Sequence, residues 1–518
     1  MSPRLRLADL LTGLSIVADV GYGFPVGHAM RSCLIGVALA RKLDLAKHEI
    51  AETFYTSLLS HIGCVSFSHE MSAAFGDEFA ANMAGAKTNF ADPKDIFATL
   101  IPETARGLRP VARVRVAAFI LTRGRALGRS YDTTVCELAR ETARRIDLSE
   151  GVQRALFEVK ECWNGSGAPR SLKGEEILLP ARIARVANEV VSFGDLGGVS
   201  LAVEALKQRA GGVLDPSIVS SFVANAGTLL AEADAGDPRE LILEAEPEPI
   251  VEKDETELPQ LAAAFGDLAD LKTPFTHGHS KEVASLAKAA GVNMVLDAKT
   301  VERLHVAGFM HDLGRVGISD SIWEKPGPLT GAEWEQVRLH AYHSERILAT
   351  SQALVPVALI AGRHHERLDG SGYHRGSPGR DLNVAARVLA AADAFQAMTE
   401  KRPHREALGA ERAADELRAA ARSGLLDPDA VAAVIQASGQ RVGRPRNLRP
   451  GGLSDREVDV LQLLSAACSN REIAERLHIS RRTAEHHVQH IYSKIGVSSR
   501  SAAAFFALEH DLLPERER

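Results

Sequence analysis

Seven side chains able to bind metal follow one another between positions 279 and 393: His279, His311, Asp312, His340, His364, His365 and Asp393. Imidazole nitrogens and carboxylate oxygens suit iron, manganese and zinc, and several helices can bring such groups to one point without any cysteine. Two metals about 3.5–4 Å apart bind a phosphodiester and activate the attacking water. Any one of these histidines alone is as well explained as a surface or core residue. The ordered set predicts a two-metal hydrolytic site.

The sequence around this set resembles the HD-GYP branch of the HD phosphohydrolases, which opens cyclic di-GMP. Four strings carry the resemblance: HDLGR at 311–315, KPGPLT at 325–330, HHERLDGSGY at 364–373 and RPHR at 402–405. It implies that the seven residues are metal ligands of a divalent, dinuclear iron or manganese centre, that Asp312 bridges the metals, and that Asp312 and Arg315 are catalytic. It also implies that Arg315, Arg402 and Arg405 bind substrate phosphates, a role that guanidinium groups suit.

Three positions depart from the pattern of that family. His374 replaces the proline of the Gly-Tyr-Pro motif, so the loop lacks the fixed φ of proline. Phe275 stands four residues before His279, where members with three metals carry a glutamate, and it cannot ligate a metal. Gln396 replaces an aspartate that would help to orient the ligands. The resemblance therefore implies two metals at most and predicts metal binding more firmly than turnover.

The region before position 232 repeats the spacing of this set with weaker identity. Two intervals agree: 35 residues for His28 to Gly63 and for His279 to Gly314, and 24 for Asn164 to Asn188 and for Asp369 to Asp393. At the ligand positions the first copy has Ser60-His61, Val159-Lys160 and Asn188, which cannot assemble two metals. We expect a catalytically inactive first copy. It serves as the structural half of a helical pair, the interpretation that we favour, or it senses a ligand or forms a dimer.

Residues 453–513 carry the pattern of a helix-turn-helix. Ser454 with Glu457 predicts a capping box that starts the first helix, and the residues from Asn470 open the second. After a tight turn, Ser480 predicts the N-cap of the third helix. Apolar side chains recur on one face of that third helix, at Ala484, Val488, Ile491 and Ile495. The opposite face carries polar groups that suit a DNA groove.

These residues resemble the LuxR-type DNA-binding domain, through LSDRE at 453–457, NREIA at 470–474 and KIGV at 494–497. The polar face and the ends of the third helix give the predicted DNA contacts: Arg481, Arg482, Thr483, Glu485, His486, Gln489, His490 and Lys494. The resemblance places Glu485, His486 and Gln489 against bases. The segment holds seven Arg and Lys against eight Asp and Glu, so we expect the arginine-rich stretch before it to help attract phosphates.

The elements that position these groups are predicted to be helices, because apolar residues recur at helical spacing along most of the chain. We expect an all-α protein with two tandem HD-type domains followed by a small helix-turn-helix bundle. The predicted boundaries are a degenerate HD-GYP-like domain at 1–231, an acidic, proline-containing linker at 232–262, an HD-GYP-like domain at 263–437, a basic flexible linker at 438–452 and a LuxR-type domain at 453–518.

Composition excludes several classes of protein. The five cysteines form no C-x-x-C pair, which argues against a disulfide framework or a thiolate zinc site. Apolar runs stay below the length of a membrane span, so we expect a cytoplasmic protein with no membrane contact. The formal net charge of −6 means that contact with nucleic acid must come from a local surface.

The sequence predicts a transcription regulator that binds double-stranded DNA, as a homodimer, under the control of a cyclic dinucleotide or another phosphorylated small molecule. Two alternatives stay open. In one the protein is chiefly a cyclic di-GMP phosphodiesterase and its DNA-binding domain only locates it. In the other both HD copies bind a nucleotide without cleaving it.

Overall fold

The computed structural model describes residues 4–90, 92–106, 109–440, 453–465, 468–495, 497, 503, 506, 507, 510 and 512. The chain divides into two compact units, residues 1–440 and 441–518. The regular structure of the described residues is almost all helical; their two strands, β1 (Arg4–Arg6) and β2 (Glu252–Asp254), are three residues each. The all-α prediction is therefore confirmed.

From the first copy to the end of the acidic segment's helix, the helices are α1 Leu7–Tyr22, α2 His28–Lys42, α3 Lys47–Leu59, α4 Ser68–Phe75, α5 Glu78–Lys87, α6 Pro93–Asp95, α7 Ile101–Thr104, α8 Pro110–Arg145, α9 Glu150–Glu158, α10 Leu179–Arg209, α11 Pro216–Ala233 and α12 Pro238–Ala245. Those of the second part are α13 Leu258–Asp270, α14 His279–Asn293, α15 Ala298–Met310, α16 Asp320–Trp323, α17 Gly331–Ala349, α18 Val355–Ala361, α19 Val384–Thr399, α20 Ala410–Arg422 and α21 Pro428–Ala437. The second unit contains α22 Asp455–Ser465, α23 Asn470–Arg476 and α24 Arg481–Ile495.

The two copies share local structure as well as spacing. The helices α2 and α14 both begin with a histidine after a glycine of positive φ, which is 95° at Gly27 and 81° at Gly278. A buried aspartate holds each start: Asp19 accepts the backbone N–H of Ala29, and Asp270 accepts that of Ser280. Such bonds satisfy amide groups that the first turn of a helix leaves free. The repeat found by spacing is thus a repeat of conformation.

Glycine at the second anchor of the repeat permits a close helix crossing. A Cβ atom added to Gly314 would lie 2.1 Å from the backbone oxygen of His340, and one added to Gly63 would lie 2.1 Å from that of Val135. Neither position tolerates a side chain, because real Cβ atoms do not approach other atoms so closely. In the second copy this contact sets α17 directly against the turn that follows His311.

One apolar core runs through both copies. It contains Leu11 of α1 and Phe54 of α3 from the first copy, together with Phe265 of α13 and Val388 of α19 from the second, all fully buried. Burial of such side chains contributes about 1.5–3 kcal/mol each. The two copies therefore form one folded body rather than two separate domains.

The acidic segment 232–262 does not run as an extended linker. It contains α12 and β2, and β2 pairs antiparallel with β1. Ile242 is fully buried, and the buried carboxylate of Glu246 accepts the Tyr55 hydroxyl at 2.9 Å and pairs with Arg6. Arg6 of the first copy thus neutralises the buried charge of Glu246. The basic stretch at 438–452 lies, from residue 441 onward, outside the described residues.

The second unit has the three helices that the sequence predicts. Glu457 N–H donates to the Ser454 hydroxyl at 3.3 Å, and Ser454 N–H donates to the Glu457 carboxylate, which is the expected capping box. Thr483 N–H donates to the Ser480 hydroxyl at 3.0 Å at the start of α24. A further capping box, Ser469 with Glu472, starts α23 and was not anticipated.

Among the described residues, one helix, Leu179–Arg209, has the length and composition needed to cross a membrane. Its backbone breaks at Gly197 and Gly198, where the φ of Gly198 is 70°. Ile183, Val186 and Val190 of this helix pack in an apolar core of the first copy.

Candidate metal centre and nucleic-acid interface

The seven predicted metal ligands come from five places in the second copy and meet at one point. His279 begins α14, His311 and Asp312 follow the end of α15, and His340 lies in the middle of α17. His364 and His365 follow α18, and Asp393 lies in α19. All are buried except His365, which is partly exposed. Helix ends and the interiors of α17 and α19 therefore supply the candidate ligands.

The ligand atoms form two groups of three, within each of which all atoms lie within 4.8 Å of one another. One group is His279, His311 and Asp312, and the other is His340, His364 and His365. Among the described residues, both groups with this geometry belong to the second copy. Six of the seven predicted ligands thus fall into two neighbouring groups.

The Asp312 carboxylate lies between the two groups. Its Oδ2 is 3.5 Å from Nε2 of His311 and 3.7 Å from Nε2 of His279. Its Oδ1 is 3.4 Å from Nε2 of His340 and 3.6 Å from Nε2 of His364. Each oxygen therefore faces a different group, as a bridging carboxylate requires.

The Asp393 carboxylate completes the arrangement. Its Oδ1 is 3.3 Å from Nε2 of His279 and 3.8 Å from that of His311, and its Oδ2 is 3.8 Å from Nδ1 of His365. Atoms bonded to one metal at about 2.1 Å lie roughly 3.0–3.5 Å apart. The separations in the site are close to that range.

Backbone and side-chain acceptors fix which nitrogen of each histidine faces the site. The Nδ1–H groups of His311, His340 and His364 donate to the carbonyls of the third residue before each, at 2.8, 2.5 and 2.6 Å. His279 instead directs Nδ1 at the Glu400 carboxylate, 3.0 Å away. Such partners hold the ring and leave Nε2 free for a metal.

Carboxylates and imidazoles shift one another's pKa in the site. Burial alone would raise the pKa of Asp312, but His311 and Arg315 beside it hold that pKa well below the usual range. Burial alone would lower the pKa of His279, yet Asp393 and Glu400 raise it to about 10. Burial lowers the pKa of His311 to about 4 and that of His340 to about 3. Neutral imidazoles and ionised carboxylates are the forms that bind metal.

Two buried atoms in the site lack a hydrogen-bond partner among the described residues: Nε2 of His311 and Oδ1 of Asp312. An unsatisfied buried polar atom costs about 1–3 kcal/mol, more when charged. Both atoms are ligand atoms of the two groups described above. The residues present therefore fit a divalent metal.

The three predicted phosphate-binding arginines have different surroundings. Arg315 donates to Oδ2 of Asp312 at 3.2 Å. Arg402 donates to the Glu400 carboxylate at 2.6 Å and to the Phe275 carbonyl at 3.1 Å. Arg405 donates to backbone carbonyls at the end of α19, including that of Met398 at 3.2 Å. Arg315 and Arg402 border the ligand cluster, while Arg405 supports the loop that carries Arg402.

The three departures from the family pattern have visible consequences. His374 packs on Tyr342, with ring centroids 5.3 Å apart, and is directed at Glu345 rather than at the metal ligands. Phe275 contributes its backbone oxygen to Arg402. The amide of Gln396 donates to Glu400 at 2.9 Å. The carboxylate beside the ligands thus comes from Glu400, which the sequence analysis missed because no spacing rule singles it out.

The corresponding place in the first copy is filled by hydrogen bonds. Nε2 of His28 and Nε2 of His61 both lie 2.7 Å from Oδ1 of Asn188. Burial lowers the pKa of His28 to about 4 and holds that of His61 well below its usual range, so both rings are neutral donors at pH 7. The Lys160 ammonium lies 6.0 Å from the ring centroids of Tyr22 and Tyr131. A neutral amide and a fixed cation do not form a metal site.

The third helix of the second unit, α24, presents the predicted DNA contacts. Arg481, Arg482, Thr483, His486, Gln489, His490 and Lys494 are exposed, and Glu485 is half-buried. Glu485 pairs with Arg481 at 3.0 Å, and Lys494 pairs with Glu457 at 2.7 Å. The opposite face of α24 is buried through Ala484, Val488 and Ile491. The helix therefore has one face packed in the core and one exposed polar face.

Two parts of the chain match families of known proteins. Residues 264–430 match the family model described as HD domain, and residues 452–507 match that of bacterial regulatory proteins of the luxR family. The 3'3'-cGAMP-specific phosphodiesterase 3 of Vibrio cholerae is 30% identical over 411 residues, 79% of this chain and 89% of that protein. A cyclic di-GMP phosphodiesterase of Thermotoga maritima is 34% identical over 171 residues, which is 33% of this chain and 46% of that protein.

A solved structure shows a similar arrangement of helices. The crystal structure of the cyclic GMP-AMP specific phosphodiesterase V-cGAP3 of V. cholerae aligns with a TM-score of 0.58 and 26% identity. The alignment covers 84% of this chain and 98% of that one, so it extends over both HD copies. The chain therefore belongs to the HD-GYP family of cyclic dinucleotide phosphodiesterases and carries, in addition, a LuxR-type DNA-binding domain.

Proposed function

We propose that the protein is a metal-dependent phosphodiesterase that opens a 3'3'-linked cyclic dinucleotide and, through its second unit, regulates transcription according to that nucleotide. The observation that carries the proposal is the bridging position of Asp312 between two groups of three ligand atoms. A centre built in this way suits a phosphodiester, whose attacking and leaving oxygens both need stabilisation.

The ligands for the two proposed metals follow from the distances. Asp312, His279, His311 and Asp393 would hold one ion. Asp312, His340, His364 and His365 would hold the other. Iron or manganese suits a set of imidazoles and carboxylates. When bound, two such ions offset the charge of the phosphate and lower the pKa of water to about 7.

The residues of the chain supply substrate binding and orientation. A cyclic dinucleotide carries two phosphodiester charges, and the guanidinium groups of Arg315 and Arg402 stand beside the ligand cluster to meet them. Glu400 orients His279 and at the same time holds Arg402. Hydrolysis adds one water across a P–O bond and yields a linear dinucleotide with one terminal phosphate.

One relative that matches both HD copies supports 3'3'-cGAMP as the substrate. The relative that matches over 411 residues, and thus over both HD copies, is named for 3'3'-cGAMP. The Thermotoga cyclic di-GMP phosphodiesterase matches over 171 residues. Because the Vibrio relative also has the first copy, we infer that the two copies together are adapted to 3'3'-cGAMP.

The second unit links this chemistry to DNA. The exposed polar face of α24 suits the major groove of double-stranded DNA, with Gln489 and His486 towards bases and Arg481 and Arg482 towards phosphates. We propose that the protein acts in the cytoplasm and binds DNA as a homodimer, because a single small helix-turn-helix reads too few base pairs for a unique site.

A hydrolysis assay tests the enzymatic half. Full-length protein loaded with Mn²⁺ or Fe²⁺ is incubated with 3'3'-cGAMP, cyclic di-GMP and a linear dinucleotide, and products are separated by chromatography. We expect linear product from 3'3'-cGAMP at the higher kcat/KM. If metal-loaded protein binds these nucleotides without cleaving them, the second candidate function holds instead, and the protein is a nucleotide sensor. Faster cleavage of cyclic di-GMP would overturn the substrate assignment.

A further inference from the structure

The short helix α16 of the second copy is held at its N-terminal end by a buried carboxylate of the first copy. Glu78 of α5 accepts the backbone N–H of Asp320 at 2.8 Å through Oε1 and the Ser319 hydroxyl at 2.8 Å through Oε2. The Lys272 ammonium lies 3.2 Å from Glu78 and 3.5 Å from Asp320. The three charged side chains are almost wholly buried. The Glu78 carboxylate holds this geometry, because without it the Asp320 N–H and the Ser319 hydroxyl would lose an acceptor.

The first copy also holds the residue that follows α16. Nδ1 of His69, in α4, lies 2.7 Å from the carboxylate of Glu324. The first copy therefore contacts α16 at both ends, four residues apart in sequence. A one-turn helix has little stability of its own, so these contacts set its position.

Between these two contacts, Trp323 of α16 lies at the edge of the metal site. Its indole ring lies 3.9 Å below the guanidinium carbon of Arg315, and its N–H donates to the Arg315 carbonyl at 3.3 Å. The same ring lies 5.7 Å from the His340 ring. One nitrogen of Arg315 donates to Asp312 at 3.2 Å, which leaves most of its donors unused within that contact.

We propose that Trp323 is a positioning residue for Arg315 and that the first copy, through Glu78, sets the position of Trp323. The inference rests on the proposed function, because it assigns Arg315 to a phosphate of the substrate. The indole face attracts the guanidinium and holds it beside the Asp312 carboxylate, to which one of its nitrogens donates. The first copy thus acts in substrate binding while holding no metal itself.

A double-mutant cycle tests whether Trp323 acts through Arg315. We expect Trp323→Ala to raise KM roughly tenfold, the scale of a desolvated cation–π contact, with kcat and metal content much less changed. Trp323→Phe keeps an aromatic face and should restore most of the loss. Combined with Arg315→Ala, Trp323→Ala should add almost nothing. Fully additive effects, or equal loss of metal, would overturn the proposal.

The contribution of the first copy is tested with Glu78→Gln, which keeps the size of the side chain and removes its charge. The matched control is Glu103→Gln, which breaks an ion pair with Lys87 elsewhere in the first copy. In a background of Trp163→Phe and Trp334→Phe, Trp323 is the remaining tryptophan. We expect Glu78→Gln alone to raise KM and to increase acrylamide quenching of Trp323, with unchanged far-UV circular dichroism.

The fluorescence readout separates this inference from the proposed function. Wild-type protein that cleaves no cyclic dinucleotide would refute the function, yet quenching of Trp323 and nucleotide affinity would still report the effect of Glu78. Identical quenching and KM in Glu78→Gln and Glu103→Gln would refute the link between the copies. Should Glu78→Gln unfold, Glu78→Asp replaces it, since the shorter carboxylate keeps the charge and loses reach.

Discussion

The carboxylate of Glu400 accepts the Nδ1–H of His279 at 3.0 Å, on the side of the imidazole away from Asp312 and Asp393. Loss of such a partner costs about 10–100-fold in metal affinity in other sites. We therefore expect Glu400→Gln to weaken metal binding by that factor, measured by metal content after titration against a chelator. Glu406→Gln, an exposed change in the same loop, is the control. Equal affinities in both variants would contradict the assignment.

Metal binding should depend on pH through His279. In the metal-free protein its pKa is raised to about 10, so below that pH the folded protein must release a proton before Nε2 can bind a metal. His311 and His340, with pKa values lowered to about 4 and about 3, are already neutral at pH 7. We expect the apparent association constant to rise about tenfold per pH unit from 7 to 9. Calorimetry in buffers of different ionisation enthalpy counts the proton; a count near zero would disprove this.

Metal should be confined to the second copy. The double variant His311→Ala, Asp312→Ala removes one ligand of the first group and the bridge, and it should empty the site. The matched double variant His28→Ala, His61→Ala disrupts only hydrogen bonds to Asn188 and should keep the wild-type metal content. Elemental analysis of both proteins decides the matter. Full metal content in the first variant would refute the centre.

Two neighbouring arginines should fail in different ways. Arg402 borders the ligand cluster, so Arg402→Ala should raise KM for the cyclic dinucleotide well before it reduces metal content. Arg405 donates to carbonyls at the end of α19, so Arg405→Ala should lower the free energy of unfolding by about 1–3 kcal/mol. Steady-state kinetics and urea unfolding separate the two effects. A KM effect of Arg405→Ala without loss of stability would give it the phosphate role that the family resemblance implies.

DNA recognition should divide between bases and phosphates along α24. Gln489→Ala should erase much of the preference for one site and leave non-specific binding nearly intact. Arg482→Ala should weaken binding to all sequences and reduce the salt slope by about one. Gel-shift titrations at several salt concentrations, with and without 3'3'-cGAMP, measure both. Absence of any preferred sequence for the full-length protein would leave only the enzyme.

The sequence sufficed for the helical class and the repeat, because each depends on residue type at a fixed interval, and it singled out the candidate ligands and the polar face of α24, whose roles stay predictions. It could not reveal Glu400, which reaches His279 from a loop 121 residues away. It also misjudged the acidic segment, since the partners that neutralise Glu246 come from distant parts of the first copy. Trp323 packs on Arg315 because of the backbone path after the 3₁₀ helix at Leu313–Gly317, and no sequence pattern predicts that path. Tertiary contacts without a local signature lie beyond pattern analysis.

The pairing of β1 with β2 constrains the order in which the chain can fold. Arg4 meets Glu252 across a sequence separation of 248 residues. During synthesis the first helices emerge long before the strand that fastens them, and the core that they share with α13 is incomplete until then. Contacts of such separation form slowly, because a long loop must close before they contribute stability. During synthesis the first copy therefore exposes apolar surface until part of the second copy has been made. Chaperones can bind the nascent chain at that stage.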